Sequence, residues 1–214
     1  YLGAVGQRDV ESNTQMTGDT IFAIASMTKP VTATALMILV DEGEVKLDDP
    51  VAKYIPEFKN AKLKRGDAPK REITVKDCLT HTGGLGGDQQ CFQAVEATGR
   101  VLANRPLGFH PGERWQYSPG LNVIGRVIEV ASGKSYANFL QERIFDPLGM
   151  VDTTFIPSDQ QRKRVVTLYK PGQEKGTIEA TTHWINTISA DKVPNPSGGL
   201  FSTAHDMAVF YHMV

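Results

Sequence analysis

The run Ile21-Phe22-Ala23-Ile24-Ala25-Ser26-Met27-Thr28-Lys29-Pro30, continued through Val31-Thr32-Ala33-Thr34-Ala35-Leu36-Met37-Ile38-Leu39-Val40-Asp41-Glu42, decides how this chain folds. A short apolar, strand-like segment delivers Ser26 to the point where a helical pattern begins, and Lys29 follows one turn later. Positions i and i+3 share a helix face, so the serine hydroxyl and the lysine amine fall within hydrogen-bond reach. A serine nucleophile needs such an activating neighbour. Residues 31–40 are apolar nearly all round, which predicts a helix buried at the middle of a domain. Gly43 supplies its stop.

Taken alone, the Ser-x-x-Lys spacing is weak, because about one match is expected by chance in a chain of this size. Ser189-Ala190-Asp191-Lys192 has the same spacing. It runs into Val193-Pro194-Asn195-Pro196, however, and two prolines argue against the helix that would hold such a pair together. On local pattern Ser26 reads equally well as a helix N-cap. The rest of the chain has to decide.

The 214 residues, 40% of them hydrophobic, suffice for one large domain or two small ones. A formal net charge of -1 gives no electrostatic footprint for nucleic acid or an anionic membrane. The basic cluster of Lys62, Lys64, Arg65, Lys70 and Arg71 flanks Gly66 and Pro69 and reads as a solvated loop. The longest apolar run, residues 31–40, is well short of the roughly 20 residues a membrane span requires. Cys78 and Cys91 read as two thiols rather than a disulfide, and the pattern leaves localisation open. No signal-peptide pattern is present, and the expectation is that the natural N-terminus precedes Tyr1.

In chain order, residues 1–5 predict a strand, residues 6–20 a polar, turn-rich link, and residues 21–24 a second strand. Two strands feeding a buried helix predict a sheet with a helix on it. After Gly43 come a turn over Val45-Lys46-Leu47-Asp48-Asp49-Pro50-Val51 and a short amphipathic helix ending near Tyr54. Residues 73–79 predict a helix with Thr74 as N-cap. It runs into His81-Thr82-Gly83-Gly84-Leu85-Gly86-Gly87, a loop of sharp turns or close backbone contacts without phosphate-cradling spacing. His81 reads as a helix-end histidine bonded to backbone rather than as a base. The other histidines lack metal-ligand spacing. Helical pattern returns over residues 91–102, and an aromatic-rich loop follows over residues 109–120. Leu121, Ile124, Val127, Ile128 and Val130 predict a helix ending near Gly133. Ser135 caps the next, with Phe139, Leu140 and Ile144 inward, before Asp146-Pro147-Leu148-Gly149-Met150 breaks it. Beyond lie a strand over residues 165–169, a loop-rich stretch to Ser197-Gly198-Gly199-Leu200, and a final helix capped by Ser202 or Thr203.

Four motifs therefore stand in order: Ser26-Met27-Thr28-Lys29, His81-Thr82-Gly83-Gly84-Leu85, Pro111-Gly112-Glu113-Arg114-Trp115-Gln116-Tyr117-Ser118, and Gly198-Gly199-Leu200-Phe201-Ser202-Thr203. With Leu47-Asp48-Asp49-Pro50 and Asp146-Pro147-Leu148-Gly149-Met150, the chain resembles the serine β-lactamase and penicillin-binding-protein-like superfamily. The likeness is strongest to the branch of class C β-lactamases, D-aminopeptidases and family VIII carboxylesterases, and it covers nearly the whole chain. The resemblance implies an α/β fold: a β-lactamase-like antiparallel sheet flanked by helices, built from residues 1–46 and 151–214, with a helical domain inserted over residues 47–150. It implies Ser26 as nucleophile, Lys29 and Tyr117 as the proton-transfer pair, Gly199 beside the substrate, and no metal or cofactor. Lysine and tyrosine, at about 10.4 and about 10, become bases near neutrality only when their surroundings lower those values.

Two departures from the family pattern matter. The lactamase-like tyrosine motif is Tyr-x-Asn, whereas position 119 is proline; Asn122 is the candidate substitute for holding a substrate amide. That favours an esterase-like activity over β-lactam hydrolysis. The family's third motif, Lys-Thr-Gly or His-x-Gly, is absent, so the sheet is expected to be incomplete, with its closing strands on a C-terminal segment or a complementary chain. Such a fragment is expected to be inactive alone. The expected partner is a small-molecule acyl substrate, with neither nucleic acid nor a membrane span. A non-catalytic penicillin-recognising or scaffold domain is the rival reading.

Overall fold

Helix α1 (Thr28–Asp41) follows a single 3-10 turn over Ala25–Met27 and stops where Gly43 takes a φ of +79°. In this computed structural model residues 2–86 and 95–213 are described; Cys91, Gly87 and the first turn of the helix expected at 91–102 lie outside them. Two compact units emerge, one of Tyr1–Ala25, Phe145–Lys192 and Gly199–Val214, the other of Ser26–Ile144 and Val193–Gly198.

The second unit is helical. Thr74 caps α2 (Val75–Leu79) in a capping box with Asp77, satisfying two backbone donors reciprocally. α3 (Val95–Ala103) and α4 (Gly120–Ser132) follow, and Gly133 ends α4 in the left-handed conformation. Ser135 caps α5 (Tyr136–Leu140). α4 packs against α1, α2, α3 and α5. Its Leu121, Ile124, Val127 and Ile128 join Leu36, Leu39, Cys78, Phe139 and Leu140 in the core. Each such side chain contributes about 1.5–3 kcal/mol by leaving water. Close approach also needs Gly120, where a Cβ would stand 2.3 Å from the Cys78 carbonyl oxygen. The amphipathic helix expected after Gly43 is instead a pair of 3-10 turns, Val51–Lys53 and Pro56–Asn60, the second with proline at its start.

In the first unit, the strand expected over residues 1–5 is not found among those described. A hairpin of β1 (Gln7–Asp9) and β2 (Thr14–Gln15) forms in the polar stretch instead. β3 (Ile21–Ala23) pairs antiparallel with β6 (Phe201–Thr203), which joins residues about 180 positions apart and leads into α8 (Ala204–Met213). Thr203 caps α8, accepting the Asp206 N–H at 3.1 Å, while Ser202 belongs to the strand. Residues 146–150 do not simply break the preceding helix. A π turn, Gln141–Phe145, leads into one more helical turn, α6 (Asp146–Leu148), which Gly149 ends at φ +66°. α7 (Asp159–Arg162) has its own Ser158 capping box. The strand expected over residues 165–169 reduces to a bridge from Val165 to Ile21; β4 (Tyr169–Pro171) starts at its end and pairs with β5 (Ile178–Ala180). No helix among the described residues is long and apolar enough to cross a membrane.

Candidate active site

The second unit brings Ser26, Lys29 and Tyr117 into one cluster. Ser26 is exposed on the 3-10 turn before α1, and the residue ahead of it, Ala25, holds a φ of +45° that alanine rarely adopts. Ser26 Oγ lies 2.7 Å from the Tyr117 hydroxyl, and Lys29 Nζ donates to the same oxygen at 3.2 Å. Lys29 is only 8% exposed. Its ammonium stands 4.7 Å from the centre of the Tyr117 ring and donates to the Ser197 carbonyl at 2.7 Å. Burial alone would raise the Tyr117 phenol; hydrogen bonds from Lys29 and Ser26, with the lysine charge, outweigh it and hold the phenol below the ordinary value of 10. The cluster thus offers a solvent-facing hydroxyl, a phenol inclined to ionise and a buried lysine amine beside them.

The turn that supplies the Ser197 carbonyl is fixed from two sides. Asn122, on the first turn of α4, accepts the Ser197 N–H at 3.0 Å through Oδ1, and Asn195 Oδ1 shares that N–H at 2.8 Å. On α1, Thr32 donates to the Pro196 carbonyl at 2.7 Å. That occupies its proton, so Tyr136, 2.6 Å away, donates to Thr32 Oγ1. The geometry of Asn122 therefore differs from the expected substrate contact: it is 1% exposed and engaged with the chain that holds Lys29. Gly199 belongs to the first unit, where it is buried next to Leu200, whose carbonyl accepts the Ile24 N–H at 3.0 Å.

Tyr117 rides on a loop tied to the end of α2. Asp77 binds Arg71 with both oxygens, at 2.5 and 2.9 Å, caps Thr74 and accepts from the Thr82 hydroxyl at 3.1 Å. Burial favours the neutral Asp77 carboxyl, but the Arg71 and Thr74 bonds outweigh it and hold the group below the usual carboxylate value. His81 is bonded to backbone, as its sequence position suggested: its Nδ1 accepts the Ser118 N–H at 3.2 Å. Two participants had no signal in residue type: the Ser197 backbone carbonyl, and the left-handed conformation of His81, with φ +60°.

A family model described as Beta-lactamase matches residues 1–214. Esterase EstB of Burkholderia gladioli is 36% identical over 196 residues, which cover 81% of this chain and 47% of that protein. The D-alanyl-D-alanine-carboxypeptidase/endopeptidase AmpH of Escherichia coli K12 is 32% identical over 199 residues, covering 88% of this chain and 47% of its own length. Among solved structures, EstCE1, described as a hydrolase with promiscuous acyltransferase activity, aligns at a TM-score of 0.86 and 23% identity over 98% of this chain and 62% of that one. At that identity the likeness is one of fold. The chain spans about half the length of the curated relatives it matches.

Proposed function

Because the chain belongs to the beta-lactamase family, we propose that it carries the acylating centre of a serine hydrolase acting on small acyl esters. The observation that carries this reading is the convergence of Lys29 Nζ and the Tyr117 hydroxyl on one oxygen, Ser26 Oγ, at 3.2 and 2.7 Å. Ser26 Oγ attacks the substrate carbonyl as its proton passes to the Tyr117–Lys29 pair. The new C–O bond gives a tetrahedral oxyanion; the bond to the leaving alkoxide then breaks, and the pair returns the proton to that oxygen. Water repeats the sequence on the acyl-enzyme and frees Ser26. The Ser26 N–H, on the 3-10 turn just ahead of α1, supplies one donor to the oxyanion, and the helix dipole acts in the same sense.

Two features favour esters over β-lactams or peptides. Pro119 has no side-chain donor where the lactamase-like motif has asparagine, and Asn122 is engaged by Ser197. A substrate amide therefore loses the asparagine that the lactamase-like motif places two residues after the tyrosine, whereas an ester asks for none. Esterase EstB, by its name, is consistent with that choice.

The test is to treat the full-length protein with a fluorophosphonate, locate the adduct by mass spectrometry, and follow hydrolysis of p-nitrophenyl acetate in wild type and Ser26→Ala. Labelling at Ser26 with ester turnover abolished in the alanine variant is expected. A lasting Ser26 adduct without turnover of any ester would instead support a non-catalytic recognition domain, and no adduct at all would remove serine chemistry from the chain.

A further inference from the structure

His81 does more than close the end of α2. Its backbone sits at φ +60°, a left-handed conformation a residue with a Cβ adopts at a cost, and such strain persists only where surrounding contacts impose it. Those contacts all lead to four consecutive residues of one loop, 115–118. The His81 carbonyl accepts the Gln116 N–H at 3.0 Å. The imidazole packs on the Tyr117 ring, centroids 4.8 Å apart and planes tilted by 44°. Nδ1 accepts the Ser118 N–H at 3.2 Å, with the Ser118 hydroxyl 3.1 Å away. The imidazole edge also meets Trp115, with centroids 6.1 Å apart.

The protonation state fits this grip. Nδ1 can accept only while it carries no proton, which leaves the proton of the neutral ring on Nε2. Burial first, and then the nearby Lys29 charge, push the imidazole below its ordinary value of 6.5 and keep it neutral. A cationic ring would lose the Ser118 bond and set a second positive charge near the Lys29 ammonium. Beside His81, the Tyr117 ring meets Lys29 Nζ at 4.7 Å and Trp115 at a centroid distance of 6.4 Å, yet it stays 45% exposed, and its hydroxyl meets a serine that is itself exposed.

We propose that His81 is a positioning residue for Tyr117, a clamp that holds residues 116–118 so that the phenol oxygen stays on Ser26 Oγ and beside Lys29. The clamp is a statement about the folded loop; its effect on rate rests on the hydrolase reading above. Proton transfer across 2.7 Å is sensitive to small displacements, so a clamp of this kind acts on rate before it acts on substrate binding.

The experiment compares wild type with His81→Gly and His81→Asn in the full-length protein. Glycine accepts the positive φ without strain while removing the ring, so loss of fold does not confuse the result. Asparagine tolerates the left-handed region and presents Oδ1 where Nδ1 was. Titration of Tyr117 is followed by NMR with ring-labelled tyrosine, its signal assigned through Tyr117→Phe, and the rate of Ser26 labelling by a fluorophosphonate is measured alongside. In His81→Gly the phenol is expected to titrate higher as it drifts from Lys29, and labelling to fall by about tenfold or more. His81→Asn is expected to recover most of both. An unchanged Tyr117 titration in His81→Gly overturns the clamp, whatever the protein hydrolyses. A shifted titration in a protein whose ester turnover survives Ser26→Ala keeps the clamp and overturns the hydrolase reading instead.

Discussion

The phenolic oxygen of Tyr117 stands 2.7 Å from Ser26 Oγ, across 91 residues of sequence. Either hydroxyl can donate in that bond, so the pair can exchange a proton without rearrangement. Tyr117→Phe keeps the ring and its packing on His81 and removes only that oxygen. Ester turnover is expected to fall by about 10²–10⁴-fold, the contribution of a positioned acid–base group. The far-ultraviolet dichroism should stay as in wild type. Activity within a factor of about three of wild type would leave Lys29 as the sole base.

The pH profile separates these two groups. The rate of Ser26 acylation should rise with pH as the phenol ionises, with a midpoint below 10 because Lys29 and Ser26 outweigh the effect of burial. Lys29→Met removes the cation and leaves burial in place. The sign then reverses: burial disfavours phenolate, so the remaining limb moves to higher pH, on top of a lower plateau. Rate profiles of the two proteins from pH 6 to 11 check this. A limb that keeps its position in Lys29→Met would belong to some group other than Tyr117.

Acid should loosen the loop that carries His81. Asp77 has its folded pKa depressed below the ordinary 3.8, so the stability it contributes is full above about pH 4 and is lost as pH falls through the lower folded value. Asp77→Asn removes the charge that Arg71 meets and should cost about 1–3 kcal/mol, near the figure for a buried, hydrogen-bonded group. Urea melts at pH 7 and pH 3 test it: the difference between variant and wild type should shrink at the lower pH. An equal difference at both would assign the role of Asp77 to packing.

What could be read from the sequence was what is local. The α1 pattern, the Gly43 stop, the Thr74 and Ser135 caps and the end of α4 at Gly133 all lie in windows of a few residues, where periodicity and capping chemistry act. The strands were harder, because segments of two or three residues show no alternation. β6 forms only because β3 is there to receive it. Residues 165–168 look like a strand by composition yet form an isolated bridge, Val165 to Ile21, with single backbone bonds to Arg8 and Thr181 in place of a ladder. The cluster divides in the same way: Ser26 and Lys29 share a turn, Tyr117 came from an ordered set of motifs, and the Ser197 carbonyl, a group every residue possesses, left no mark. Asn122 shows the converse, since its residue type suggested a donor for substrate while the approach of the 195–198 turn to α4 engages it within the protein.

That approach yields a final expectation. A Cβ at Gly125 would stand 2.3 Å from Pro196 Cγ and 3.1 Å from its Cβ, closer than real atoms pack. In the helix itself alanine would be favoured over glycine by about 1 kcal/mol. Overpacking costs about 1–3 kcal/mol, and the proline ring can yield only through its pucker, which leaves the 3.1 Å approach to its Cβ in place. The Pro196 carbonyl is held by Thr32, so the steric cost should prevail and the turn should shift as a body. Gly125→Ala is then expected to lower stability slightly and turnover by about tenfold, because displacing the Ser197 carbonyl frees Lys29 from its 2.7 Å bond. Gly133→Ala is the matched control. Nothing stands within 4 Å of its Cβ, so it meets only the strain of φ +69° and should lose a similar stability with turnover unchanged. Equal activity in the two variants would show that the turn does not set the position of Lys29.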